Sequence, residues 1–527
     1  MNRLRMLTAL LASVCASAAF AQSHGPVEIS DAVQQDVLGS LHDVKPNPAD
    51  YHKMKARAEH DLPLPHVPDN QKDGALQGSG TQSLFTPTAS SNFAGLGNGF
   101  PGFTVQYAPP DTVGAVGATQ YVQVVNVGLV VFDKSTNLVV LGPVPTSSLW
   151  SGFGGGCQTN NDGDATVVYD KAANRWIISQ FSVSTTPYLQ CVAVSQTSDA
   201  KGAWNRYAFS YGNTAFPDYP KTGVWPDGYY TTFNIFNGNT FGGAKLCAYD
   251  RAKMLVGAAA TQQCFQLSTS YGGVLPSDAD GATAPPAGSP NYMMNFGSNS
   301  LNLWKFHVDW TTPTNTTLTG PTNMGVAAFT PACNGGACIP QPANQKLDSL
   351  ADRLMYRLAY RNFGDHEALV VTHSVNPTPT VKNPKQQSAA VRWYEIRKTG
   401  TTVAVYQTGT YWPDSTARWM GSIAMDKLGD IALGYSASSS SSAPSVRYTG
   451  RAVGDTTPLG TMGSEVTLFS GAGSQTGSNL SRWGDYSAMT LDPGDDCTFW
   501  FTTEYIPSNG AFNWSTRIGS FKFPGCN

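Results

Sequence analysis

The chain has 527 residues, a formal charge of -3 and a pI near 6.2, so it offers no basic field for a nucleic-acid backbone. Only 13% of residues are charged, while 53 Gly, 34 Pro and 11% aromatics favour a turn-rich all-β chain over a helical one.

Residues 1–21 carry Arg3 and Arg5, an apolar run from Leu7 to Val14, and the triplet Ala19-Phe20-Ala21. This pattern is expected to be a secretory signal peptide cut after Ala21, its apolar run being too short to span a bilayer. No later stretch is apolar for long enough to span either. The mature protein is expected to be secreted, extracellular or periplasmic, and monomeric. Cys157, Cys191, Cys247, Cys264, Cys333, Cys338, Cys497 and Cys526 remain after cleavage. An even set in an exported chain reads as disulfides, with the four neighbouring pairs as the economical pairing.

Residues 22–98 are polar and interrupted by proline, and hold His24, His42, His52, His60 and His66. These spacings match no metal-ligand pattern, so the segment reads as a mostly irregular leader or pro-segment draped on the body. From residue 99 to 527 the texture changes. "PPDTVGAVGATQYVQVVNVGLVVFDKSTNLVVLG" gives three β-branched strands with turns between them. "DGDATVVYDKAANRWIISQFS", "FPDYPKTGVWPDGYYTTFNIF", "RWMGSIAMDKLGDIALGYSAS" and "RWGDYSAMTLDPGDDCTFWFTTEY" repeat the shape: an Asp or Ser, a short apolar strand, an Asp-containing turn and a second strand. The openings fall at Asp111, Asp164, Asp218, around Asp278, Asp348, Ser422 and Asp485. Such repetition predicts an all-β, seven-bladed β-propeller. Six blades with one large insertion, or a sandwich array, are the alternatives.

The stretches "PPDTVGAVGATQYVQVVN", "GDATVVYDKAANRWIISQF", "DYPKTGVWPDGYY" and "RWGDYSAMTLDPGDDCTFWFTTEY" together resemble a group of exported, largely uncharacterised bacterial β-propeller proteins. That resemblance implies a fold and no activity. Sialidase-type propellers are only loosely similar, because their S-x-D-x-G-x-x-W box is missing.

A propeller places its ligand site at one mouth of the central channel, where the inner strands begin. Recurrent Asp residues there serve architecture before chemistry, by capping turns. The singular feature is "YRNFGDHEALVVTH". His366 beside Asp365 is a candidate base and Arg361 a candidate partner for a substrate carboxylate, the set that β-elimination on a uronic-acid polymer needs. Tyr486 and Glu504 complete the catalytic candidates. Arg361, Arg418 and Arg482, with Trp419 and Trp483, form a candidate anion clamp and stacking surface; Asp218 and Tyr219 are further binding candidates. No cofactor is required and no metal ligand is assigned. "NNDGD" (Asn160–Asp164) and "SDADG" (Ser277–Gly281) suit calcium by their oxygen content, but Asx turns explain both. GxSxG, HExxH and phosphate-loop patterns do not occur. The expected function is action on an extracellular, acidic polysaccharide or cell-surface glycan, as hydrolase or lyase. The alternative is a non-catalytic glycan- or protein-binding module or adhesin.

Overall fold

The computed structural model describes residues 24–527 except 55–59, 67–70, 79–84 and 379. The expected signal peptide lies outside the described residues. The protein is all-β, built from antiparallel meanders that follow one another along the chain. Sheets A, B, C, D, E and F cover residues 113–145, 166–210, 215–266, 275–325, 355–411 and 417–469, each with four consecutive strands. Sheet G takes three strands from residues 488–522 and its fourth, Thr88–Gly97, from the N-terminal segment.

The first strands of the sheets are Val113–Val116, Thr166–Asp170, Ala215–Trp225, Leu275–Asp280, Met355–Asn362, Ala417–Met425 and Ala488–Leu491. They touch in that order, and the last returns to the first. Sheets set in a ring around their first strands make the β-propeller arrangement. Burial explains why these strands read as continuous apolar runs: Val113–Val116 and Thr166–Asp170 are buried at every position. The outer strand Thr402–Tyr411 instead starts on alternating exposed and half-buried positions. Between sheets D and E, Ser277–Asp280 pairs in parallel with Leu358–Arg361. Tyr121 of sheet A stacks on Trp500 of sheet G at 5.2 Å and helps close the ring.

The described part of the N-terminal segment is mostly irregular and packs on the body, and it also adds edge strands to three sheets. Glu28–Asp31 pairs with Thr261–Cys264 on the edge of sheet C, and Gln34–Leu38 pairs with Trp204–Ala208 on the edge of sheet B. Thr88–Gly97 pairs with Ser515–Lys522. Polar sequence hid these strands because an edge strand needs backbone partners more than apolar side chains. Further on, Asp73 forms an ion pair with the fully buried Arg392.

The disulfides are Cys157–Cys191, Cys247–Cys264, Cys333–Cys338 and Cys497–Cys526, the neighbouring pairs expected. Among the described residues no helix is long and apolar enough to cross a membrane.

Candidate functional site

All first strands run the same way round the ring, so their starts share one mouth of the channel and their ends the other. A cavity of about 300 Å³ opens at the starting mouth. Asp111, Asp164, Asp218 and Asp485 line it, with Arg353, Arg482, Asn126 and His60. Residues Asp111 and Asp164 precede the first strands of sheets A and B, and Asp485 precedes that of sheet G. Asp111 (φ 47°), Asp164 (φ 49°) and Tyr219 (φ 57°) hold left-handed backbone. Aspartate tolerates that conformation, whereas for a tyrosine it is an outlier maintained by its surroundings. Tyr219 sits in a bulge where the register slips between Asp218 and Lys221, which re-aims both side chains.

Hydrogen bonds tie the strand starts together. Asn126 Nδ2 donates to Asp111 Oδ2 at 2.6 Å, and the Asp485 amide donates to Asp111 Oδ1 at 2.8 Å. Tyr486 donates to Asp164 Oδ2 at 2.9 Å. The Gly484 amide donates to Glu504 Oε1 at 3.1 Å. Beneath the cavity, Lys221 Nζ lies over the rings of Tyr219 and Tyr486, 3.2 and 3.3 Å from their centroids. The nitrogen also donates to the Pro220 carbonyl at 3.1 Å.

Burial dominates the electrostatics. It holds the Asp111 carboxyl well above the usual carboxylate range, and Asp485 and Asp164 push the same way. Glu504 is likewise pushed well up by burial, with Asp111 and Asp485 adding to it. The Lys221 ammonium is pushed well below the usual lysine range by burial, against the pull of Asp164 and Asp485. Carboxyls that favour their proton thus neighbour an amine that favours losing one. Both arginines of the cavity are paired: Arg353 with Asp352 at 2.6 Å and Arg482 with Asp485 at 2.8 Å.

Of the sequence candidates, the structure brings Arg482, Asp218, Tyr219, Tyr486 and Glu504 to this mouth. It does not bring the others. His366 and Asp365 lie in the turn after Met355–Asn362, whose eight residues carry the chain about 25 Å away from the starting mouth. There His366 bonds Asp365 at 2.8 Å and stacks on Phe363 at 4.9 Å. Arg361, at the end of the same strand, holds Asp496 through two bonds of 2.7 Å. Arg418 is fully buried and binds Glu465 at 2.7 Å and Asp414 at 3.0 Å inside sheet F. Trp419 and Trp483 are buried against each other at 5.3 Å, between sheets, where no sugar ring reaches them. The three-arginine clamp is therefore not assembled. Each guanidinium took a carboxylate of its own, because an unpaired buried charge is expensive.

Asp111, Asp164 and Lys221 stood among the strand-start residues but the aspartates were read as architecture before chemistry; Arg353, Asn126 and His60 were not singled out. His60 was not legible, since nothing local shows that the N-terminal segment reaches the mouth. In the loop proposed for calcium, Asp162 accepts from the amides of Val183 and Ser184, and Asn161 accepts from the Ser147 amide. Among the described residues no three His, Cys, Asp or Glu side chains converge as a metal site. A second cavity of about 420 Å³ lies at the far mouth, among Asp170, Trp225, Asp280 and Asp496.

No protein-family model matches the chain, and no curated protein matches it. Solved structures similar to it include the polysaccharide lyase Uly1, at 10% identity and a TM-score of 0.37, covering 84% of this chain and 99% of that one. A PL25 ulvan lyase gives 9% and 0.34, covering 88% and 94%. The N-terminal domain of Nup159 gives 9% and 0.30, covering 88% and 100%. Likenesses this distant bear on no residue of the site.

Proposed function

We propose that the protein is a seven-bladed β-propeller, exported through its N-terminal signal, that cleaves a glycan by acid–base hydrolysis at the starting mouth. The observation that carries this reading is the convergence of Asp111, Asp164, Asp218 and Asp485, from the first strands of four sheets and the turns ahead of them, on one cavity. Asp111 is the proton donor in this reading: it is buried yet lines the cavity, and burial with the neighbouring Asp485 and Asp164 favours the protonated form of its carboxyl. Hydrolysis is favoured over β-elimination because Arg353 and Arg482 already hold carboxylates, so neither stands ready to neutralise a uronate. The same count of charges favours a neutral glycan over the acidic polymer expected from sequence. The protein works as a monomer in this reading.

Assay of the purified protein against neutral polysaccharides should show new reducing ends, lost in Asp111→Asn, with no unsaturated product. Unsaturated products instead would point to a lyase. Silence in both assays with retained polysaccharide binding would establish the second reading, a binding module. That reading draws on Phe512, which is 47% exposed at the rim and offers a ring face to a sugar.

A further inference from the structure

We propose that His60, delivered by the N-terminal segment, is the general base of the mouth site and that Asp218 orients it. The assignment rests on the glycan-cleaving reading above. His60 lines the same cavity as Asp111. Its Nδ1 lies 3.3 Å from Asp218 Oδ2. The ring stacks on Phe236, 4.2 Å between centroids at 22°, and packs against Phe216 at 5.6 Å. The backbone is fixed as well: Arg353 Nη2 donates to the His60 carbonyl at 3.5 Å, and the Leu62 amide donates to Asp352 Oδ2 at 2.8 Å. The charged groups facing the ring are thus Asp218 of sheet C and the Asp352–Arg353 pair ahead of sheet E.

A carboxylate on Nδ1 keeps the proton of a neutral imidazole there and leaves the Nε2 lone pair as acceptor. Among the described residues Nε2 has no hydrogen-bond partner. A base held by a third group and lining a cavity that also holds a carboxylic acid is the arrangement general acid–base catalysis requires. In the step, a water oxygen forms a bond to the anomeric carbon and its proton passes to His60 Nε2. The glycosidic carbon–oxygen bond breaks, its electron pair goes to the leaving oxygen, and Asp111 supplies that oxygen's proton. The imidazolium and the Asp111 carboxylate then exchange protons with solvent. On this account the N-terminal segment is part of the site.

His60→Gln should lower kcat on the cleaved glycan on the order of 100-fold with KM unchanged. His60→Ala should regain activity with added imidazole, which a packing role would not allow. Asp218→Asn should lower kcat by a smaller factor. Unchanged kcat in His60→Gln, or loss in His60→Ala that imidazole fails to restore while the melting temperature is kept, would overturn the assignment. An independent readout separates it from the wider reading. Nitrogen NMR of the imidazole should show the proton on Nδ1 in the unmodified protein, with the balance moving to Nε2 in Asp218→Asn. A proton on Nε2 from the outset sinks the assignment whether or not any glycan is cleaved. Absence of cleavage by the unmodified protein sinks the hydrolase reading and the base role with it, even where the NMR upholds the pairing.

Discussion

The Tyr486 hydroxyl donates to Asp164 at 2.9 Å, joining a residue ahead of sheet G to one ahead of sheet B across 322 positions of sequence. It sits between the buried Lys221, against one face of the ring, and the cavity, which Asp164 lines. Tyr486→Phe should lower stability by about 1.5–3 kcal/mol, the usual contribution of a hydrogen bond to a charged group, and lower glycan cleavage with it. Chemical denaturation and a reducing-end assay on the same preparation check both.

Lys221 is 1% exposed and held between two aromatic faces. An apolar chain of similar length keeps the packing and removes the cost of burying a charge. Lys221→Met should therefore melt at the same temperature as the unmodified protein or higher. Lys221→Ala should lose about 2–5 kcal/mol by leaving a cavity under the rings. A strong destabilisation in Lys221→Met would show that the cation itself holds Tyr219 and Tyr486 in place.

Asp426, in the turn of sheet F, has its carboxyl pushed up to about 7, first by burial and then by Asp430. Because the folded value lies above the ordinary 3.8, stability is fully present below 3.8 and is lost as pH rises through about 7. Asp426→Asn can still accept the amides of Leu428, Gly429 and Asp430, yet it cannot ionise. The variant should be more stable than the unmodified protein at neutral pH, on the order of 2 kcal/mol, and match it in acid. Melting curves across that pH window give the answer.

Asp73 pairs with Arg392, which is fully buried in sheet E. Asp73→Ala strands that guanidinium and should cost about 3–5 kcal/mol, although the site is far from the cavity. Differential scanning calorimetry reads this directly.

A chain that starts at residue 99 lacks Thr88–Gly97 and leaves Ser515–Lys522 as an open edge. It should be insoluble or aggregate on refolding. A soluble, monomeric product of that length would show that sheet G closes without its N-terminal strand.

The regular parts of the fold were legible because they rest on local physics. Inner strands such as "TVGAV" and "DATVV" are apolar throughout since both faces are buried, and the Asp before each marks the left-handed or capped turn that starts it. Neighbouring cysteines pair as expected; Cys247 and Cys264 face each other on adjacent strands, while the other three bridges involve a helix, turn or loop residue. The strands at 28–31 and 34–38 escaped notice, as their side chains are nearly all exposed and only backbone pairing holds them.

The site was half legible. Arg482, Tyr486, Asp218 and Tyr219 stand at strand starts, and that position alone placed them at the right mouth. His366, Asp365 and Arg361 form the more suggestive cluster on paper, but they stand at a strand end. A strand of eight residues separates the two mouths, and residue type carries no information about which end of it a side chain occupies. Arg418 and Trp419 stand at a start and still miss the cavity, because Glu465 and Trp483 from neighbouring chain segments draw them inward.

Strand content and turn positions were readable from local sequence, since periodicity and turn chemistry act over a few residues, and the neighbouring cysteine pairing was the economical choice among open alternatives. Which charges meet is set by the folded ring. His60 and Asp218 lie 158 positions apart, and Tyr486 and Asp164 are farther still. Ring closure sets Tyr486 and Asp164 around one axis, the N-terminal segment carries His60 to Asp218, and burial there shifts Asp111 and Lys221 in opposite directions.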